Sequence, residues 1–539
     1  MKKTDSELGM NSKITRRDFI HDTGLAALGL SLPLGSMAAT TDQASTDYYP
    51  PSLTGMRGSH PGAFEAAHAI GRQGKSFAAP RDLDESYDLV VVGAGISGLA
   101  AAEYYQKRFG PDARILILEN HDDFGGHAKR NEFHQGGEMR LALGGTHNLE
   151  HWSFSDTVKD FMKDHGIDIK KMLRNKEFDY GSNGKNGSSI WFDEETYGVN
   201  RLVTNIKLKN VTPEKIIPRI DELPLSDVAR AELKAFYGAR KNLLADKTDG
   251  EVESYLRSIN YMDFLERFGG LGEEASQLFA REFLTSWGVE TRAMSAMECL
   301  EDGMPGWQLL GGELEEEDWS YPAAMFPDGN ASLARLQVHK LIPNVAPGTN
   351  ADNVAMAKFD YSQLDRSGSP VRLRLNATVT NASNEDNGVS VTYYQAGQTY
   401  RLQAKHCVMA CYHVIIPHLC PQMPAAQKQA QKYQVKRPLL LSNVLIRSSK
   451  AMDKLGIAGA TCHGRLHGDV WMFKGLNTGG YEHKFADSGP VPLTFWGATY
   501  APKEAEHLYD QLRASRAMML GLSMEDYERE IRTVLDGLL

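Results

Sequence analysis

The feature that most constrains this chain is Gly93-Ala94-Gly95-Ile96-Ser97-Gly98, set between an apolar run and an Ala-rich stretch. Leu89-Val90-Val91-Val92 reads as a strand buried on both faces, and residues 99–105 read as a helix. A second apolar run, Ile115-Leu116-Ile117-Leu118, ends on Glu119. Strand, glycine turn, helix, strand and acid in that order predict a βαβ dinucleotide-binding unit. Gly93 permits the tight turn, Gly95 lets backbone approach a pyrophosphate, and Gly98 lets helix and strand pack closely. Ile96 and Ser97 open the helix, whose N-terminal N–H groups favour an anion. Glu119, followed by Asn120, is placed to accept from ribose hydroxyls.

The chain has 539 residues, more than one simple core serves. Between about 150 and 330 amphipathic helices dominate, including Asp156–His165 and Val252–Phe268. Strands return at Val371–Thr380, Val389–Tyr394, Thr399–Ala404 and His406–Ala410, the pattern of a β-meander. Leu439–Ile446 reads as a further strand and Met524–Leu539 as a terminal helix. The expected fold is α/β: a split FAD/NAD(P)-binding Rossmann-like domain with a β-meander, plus an α+β substrate domain. The nucleotide domain takes residues 87–150 and 326–420; the substrate domain takes 151–325 and 421–539. Residues 39–86, rich in Ser, Thr, Pro, Gly and Ala, read as a surface linker.

The net charge of -10, with no basic stripe, argues against a nucleic-acid footprint. The five cysteines form no C-x-x-C pair and no haem-attachment motif, so buried thiols are expected rather than a zinc site. At the start, Lys2, Lys3 and Lys13 lead into Thr15-Arg16-Arg17-Asp18-Phe19-Ile20, then an apolar run from Gly24 to Leu34 and small residues to Ala38. That run is shorter than the ~20 residues a membrane span needs. The pattern predicts a twin-arginine signal over residues 1–38, the Tat translocase as a transient partner, a periplasmic address and no membrane span.

Beyond Glu119 comes Phe124-Gly125-Gly126-His127-Ala128-Lys129-Arg130-Asn131-Glu132-Phe133, whose glycine pair resembles that of flavin amine oxidases and favours FAD over NAD. Asp123 and His127 stand where that pattern has arginines, which leaves phosphate neutralisation to backbone amides, Lys129 or Arg130. With Gly144-Gly145-Thr146 and the stretch from Phe326-Pro327-Asp328-Gly329-Asn330 to Leu336, residues 80–530 resemble bacterial spermidine dehydrogenases. The resemblance implies FAD-dependent oxidation of a secondary amine of spermidine or a similar polyamine to an imine, then hydrolysis to an aldehyde and a smaller amine. It implies that Gly144, Gly145 and Thr146 lie near the isoalloxazine and that Val379 meets the adenine through its backbone. It also admits a non-covalent haem, whose ligand the 17 histidines do not single out, and leaves the electron acceptor unnamed.

For a polycation, Glu313, Glu315, Glu316, Glu317 and Asp318 beside Trp319 and Tyr321 offer carboxylates and aromatic faces. The same residues also read as a solvated acidic loop. Trp287, Trp307, Trp471 and Trp496 are candidates for the pocket wall, or plain core. The cluster His121, His127, His134, His147 and His151 lacks metal-ligand spacing, so no metal is expected, and no residue stands out as catalytic. Flavoproteins of this type close with a strand, a glycine turn and a helix aimed at the flavin; residues 490–539 show no such segment. The expectation is a truncated or split chain with weak FAD binding. Other readings are a flavin oxidoreductase of a different substrate, a general amine oxidase or desaturase-like, and an inactive flavoprotein remnant.

Overall fold

The computed structural model describes residues 42–177, 182–183, 186–314, 323–499 and 507–539. A short helix, α1 (Glu65–Gly71), precedes the long strand β1 (Arg81–Val92). Leu89 to Val92 are all buried, as a continuous apolar run requires. Gly93 turns the chain into α2 (Ile96–Phe109), which ends at Gly110 with φ 105° and returns into β2 (Ile115–Leu118).

The residues expected to form one strand over 371–380 form two. β3 (Val371–Arg374) pairs with β2, and β4 (Thr378–Glu385) opens the meander. Asn376, with φ 53°, breaks the run between them. β5 (Gly388–Gln395) follows, and the two strands expected at 399–410 are one, β6 (Gln398–Met409). It stays continuous because it pairs antiparallel with β5 on one side and parallel with β1 on the other. The sheet order is β4-β5-β6-β1-β2-β3. Alternate residues of β1 serve two cores. Leu89 and Val91 pack with α2 and with α3 (Ala331–Leu341), while Val90 and Val92 pack with the meander and Leu419.

A second six-stranded sheet joins β7 (Leu440–Ile446), β8 (Gly459–Thr461), β9 (Asp469–Met472) and β10 (Val491–Gly497) to strands Ser189–Phe192 and Arg201–Thr204. Its order is β7-β10-β9-β8, then the two earlier strands. The terminal helix α4 (Met524–Leu538) lays Ile531, Val534 and Leu538 onto Val470, Phe495 and Trp191 of one face. Gly537 permits the close approach, since a Cβ there would stand 2.0 Å from the Trp191 ring. A helical lobe forms its own core around Phe236, Phe264, Phe279 and Phe283. Within it the helix expected over 252–268 is broken: Asp249–Ser258 ends at extended Ile259, and Tyr261–Phe264 runs into a π turn.

The stretch read as a surface linker is instead an ordered arm from residue 42 onward. Gln43 bridges two backbone groups across β3, donating from Nε2 to Leu373 O (2.7 Å) and accepting from Leu375 N–H (2.9 Å). Tyr48 donates to Asp122 O and Tyr49 to Glu132 Oε1 (2.7 Å), while Ala63, Ala66 and Ala69 are buried. All five cysteines are free; Cys299 and Cys462 are buried, the other three half-buried. No helix among the described residues is long and apolar enough to cross a membrane.

Candidate dinucleotide-binding site

The site begins where β1 ends. A Cβ on Gly93 would stand 2.6 Å from Ala410 O, and one on Gly98 would stand 2.0 Å from Gly93 O. Backbone therefore occupies the space a side chain would need at both positions. The second glycine turn folds against the first: Gly125 N–H donates to Ala94 O (2.9 Å), and Gly95 and Gly125 form a parallel bridge. Gly126, with φ 62°, brings its Cβ position to 3.1 Å from Gly95 Cα. Beyond it, a Cβ on Gly145 would stand 2.7 Å from His127 O, and one on Gly144 would stand 2.2 Å from Lys129 O. The result is a ribbon of backbone running from the N-terminus of α2 through Gly126 and His127 to Gly145. Ser97, His127 and Gly145 are exposed along it, and Gly95, Ile96 and Gly126 are half-buried.

Thr146 is fixed from below. Asn330 donates its backbone N–H to Thr146 O (3.0 Å) and its Nδ2 to Thr146 Oγ1 (2.9 Å). Gly329, with φ 62°, is required there because a Cβ would stand 2.6 Å from Thr146 O. The sequence stretches 144–146 and 326–336, far apart in the chain, thus meet at one point.

Glu119 is buried at the opposite end of the ribbon. Its Oε2 accepts from Ala94 N–H (2.6 Å) and its Oε1 from His121 N–H (2.9 Å). Burial pushes its carboxyl above the usual range, against those two donors. Asn120 accepts from Thr378 and donates to Ala63 O of the arm. His60 Nε2 lies 3.2 Å from His121 Nδ1, and Arg57 pairs with Asp122 at 2.7 Å. Burial lowers the His121 imidazole to about 3. Val379, buried in β4, pairs with Tyr393.

The two cations proposed for phosphate neutralisation differ. Arg130 is spent on structure: it pairs with Glu132 and with Asp328 Oδ2 (2.5 Å) and donates to Ala355 O (2.6 Å). Lys129 Nζ is buried 3.5 Å from Asp122 Oδ1 and has no hydrogen-bond partner among the described residues. Such an orphaned donor beside the second glycine turn fits an anionic ligand.

The exposed end of the ribbon meets the second sheet. Asn443 Nδ2 donates to Leu143 O (2.7 Å), and the His147 ring lies 5.9 Å edge-to-face from Trp496. Trp471 and Trp496 both pack against the cluster that holds Leu143 and Phe473. Burial lowers His147 to about 4, so its imidazole is neutral near pH 7. Trp287 and Trp307 are elsewhere. Trp287 is exposed under the Arg437 guanidinium, and Trp307 packs in the helical lobe with its Nε1 on Leu300 O.

Glu313 is exposed at the rim of that lobe, and Glu315 and Trp319 lie outside the described residues, as do 1–38. The five histidines disperse: His121 meets His60, His134 meets Glu132, His147 meets Trp496, His151 meets Trp152, and His127 is exposed. No group of three or more metal-binding side chains gathers among the described residues. Sequence reasoning missed the arm over Asn120 and Asp122, and it missed Asp469. The signal for Asp469 was present, since a charged residue heads the alternating strand Asp469-Val470-Trp471-Met472.

Residues 91–165 match the family described as an NAD(P)-binding Rossmann-like domain. No curated protein matches the sequence. Among solved structures, putrescine oxidase bound to putrescine is 16% identical, with 85% of this chain and 82% of that one covered and a TM-score of 0.46. Cyclohexylamine oxidase from Brevibacterium oxydans is 14% identical over 84% and 81%, with a TM-score of 0.43. A CLA-producing fatty acid isomerase from P. acnes is 12% identical over 83% and 82%, with a TM-score of 0.38. What the family match and the paired glycine turns establish together is the fold of this part of the chain: an NAD(P)-binding Rossmann-like domain in a mixed α/β protein.

Proposed function

We propose that the protein is an FAD-dependent oxidoreductase that oxidises an amine, with spermidine or a similar polyamine as the substrate class. The observation that carries the reading is the backbone ribbon from the N-terminus of α2 to Gly145, with buried Glu119 at one end and Trp471 and Trp496 at the other. In this reading Gly95, Gly126 and the first N–H groups of α2 hold the diphosphate. Lys129 supplies charge there, and Glu119 with Asn120 orients the ribose. Gly144, Gly145 and Thr146 support the ring that reacts, and Val379 backs the adenine.

FAD supplies a two-electron acceptor. The substrate loses two electrons and two protons as its C–N single bond becomes an imine. Water then adds to the carbon, and the C–N bond breaks to give an aldehyde and a smaller amine. For spermidine these are 4-aminobutanal and 1,3-diaminopropane. The chain's part is orientation: the indoles shield the reacting carbon from bulk water and offer π faces to the ammonium form. Neutral His147 adds no positive charge that repels it. Export by the twin-arginine route to the periplasm belongs to the same proposal and rests on the Arg16-Arg17 segment.

The test is an absorbance spectrum of the pure protein followed by anaerobic titration with spermidine, putrescine and a monoamine. A stoichiometric flavin band bleached by spermidine supports the reading. A band that no amine bleaches removes the amine half, and no flavin after reconstitution removes the whole.

A further inference from the structure

The second sheet turns one face to α4 and the other to the segment Leu143–His147. On that second face, cross-strand partners align Thr461 with Asp469, Asp469 with Trp496, and Trp471 with both Gly459 and Thr494. Partners in register point the same way. Asp469, Trp471, Thr461 and Trp496 are half-buried, whereas Val470, Met472 and Phe495, which point to α4, are fully buried. Gly459 makes room for an indole: a Cβ there would stand 2.6 Å from the Trp471 ring.

Asp469 is the anomaly of this face. Its Oδ1 accepts from Thr461 Oγ1 (2.9 Å) and its Oδ2 accepts from Thr285, which reaches it across Gly468. Both donors are neutral hydroxyls, and among the described residues no lysine or arginine pairs with it. The neighbouring Glu282 is balanced, by Lys209 at 3.6 Å and His463 at 3.1 Å. His463 is itself buried, and its Nδ1 has no hydrogen-bond partner. Burial, reinforced by Glu282, lifts the Asp469 carboxyl to about 6. A carboxylate so held is oriented for a cation, and among the described residues the His463 imidazole is the basic group that acts on it. Asp469 and Trp471 stand two residues apart, about 7 Å along the strand. Trp496 links Asp469 to His147 and so to Thr146.

We propose that Asp469, held by Thr285 and Thr461, anchors the far ammonium of a diamine or polyamine whose near nitrogen lies over Trp471 and Trp496 beside Gly145–His147. It is a specificity residue and takes no part in bond making. The inference rests on the amine reading above and names the substrate's second charge as what the site selects.

The test uses the full-length holoprotein with 1,4-diaminobutane and 1-aminobutane, which differ only in the far ammonium. In Asp469→Asn, kcat/KM for the diamine is expected to fall on the order of 30- to 1000-fold, mostly through KM, with 1-aminobutane within two-fold of wild type. Equal effects on both amines, or none on either, overturn the proposal. Asp469→Glu keeps the charge and extends it by one methylene, so it is expected to shift preference towards 1,3-diaminopropane. If the Asn variant does not fold, an unchanged ranking in the Glu variant overturns the proposal.

Thermal shift supplies a readout without turnover. Wild type is expected to be stabilised by 1,4-diaminobutane but not by 1-aminobutane, and the Asn variant by neither. A wild type that binds the diamine without oxidising any amine defeats the functional reading and leaves the anchor standing. A wild type stabilised equally by both amines defeats the anchor.

Discussion

Gly95 and Gly126 press backbone against backbone: the Cβ position of Gly126 lies 3.1 Å from Gly95 Cα, on a residue with φ 62°. Two phosphate-approaching turns are thereby locked into one surface. Gly126→Ala forces a left-handed alanine, at about 1–2 kcal/mol, and a contact that pushes the turns apart. The expected outcome is a folded protein that purifies with less than a tenth of the wild-type flavin, read at 450 nm against protein concentration. Wild-type flavin content in this variant would show that the ligand does not lie on the ribbon.

Arg130 is predicted to be a structural residue. Its guanidinium joins Glu132, Asp328 and Ala355 O in a buried cluster, and Ser332 Oγ donates to Asp328 Oδ1 (2.7 Å). Arg130→Met leaves two buried carboxylates uncompensated, at about 3–5 kcal/mol. Urea denaturation is expected to show that loss as a lower midpoint with unchanged slope.

Stability is predicted to fall on acidification below neutrality. Burial depresses His121 to about 3 and His68, His147, His467 and His483 to about 4, from 6.5. These rings are neutral in the folded protein and charge on unfolding, so the unfolded chain binds more protons between about pH 6.5 and 4. Each contributes a slope of up to about 1.4 kcal/mol per pH unit in that window. Asp469 acts oppositely, since its raised pKa favours the folded state as pH falls from about 6 towards 3.8. Glu119 and Asp123, also raised by burial, act in the same sense as Asp469, and the five histidines outnumber these three carboxyls. Tm measured from pH 7.5 to 4.5 is expected to decline steadily, and His147→Gln to flatten the decline.

The arm is predicted to be held at Asp122. Arg57 and His60 reach it from the arm, at 2.7 and 3.2 Å, and Lys129 lies on its other side. Arg57→Ala removes a charged hydrogen bond worth about 2 kcal/mol. Limited proteolysis is expected to cut within residues 42–64 several-fold faster in the variant, with the remaining chain intact. Equal cleavage rates would place the arm's attachment elsewhere, in the bridge from Gln43 to β3.

The βαβ unit could be read from the sequence because each of its parts leaves a local mark. Gly93, Gly95 and Gly98 report steric closeness, and four consecutive apolar residues report burial on two faces. The meander was visible as strands, yet its breaks were not. Asn376 ends β3 through a left-handed turn that asparagine tolerates but does not announce, and β6 is continuous only because β1 lies beside it. Arg130 looked available for phosphate because Asp328 stands far away in the chain. Asp469 is ordinary until Thr285, Thr461 and Glu282 close around it. Local steric rules are written in neighbouring residues; charge compensation is written in the fold.

The bridge from Gln43 to Leu373 and Leu375 has a consequence for the order of assembly. It spans 330 and 332 positions of chain. The central strand β1 likewise waits for β6 as its second neighbour, while β2 arrives at once. A ribosome delivering this protein releases the arm first and its docking strand hundreds of residues later. The arm is therefore among the last pieces to settle although it is among the first made, and long-range closure of this kind slows folding. Until β3 emerges Gln43 has no strand to bridge, and a nascent chain stalled before residue 371 would hold the arm only through its contacts with earlier residues such as Asp122 and Glu132.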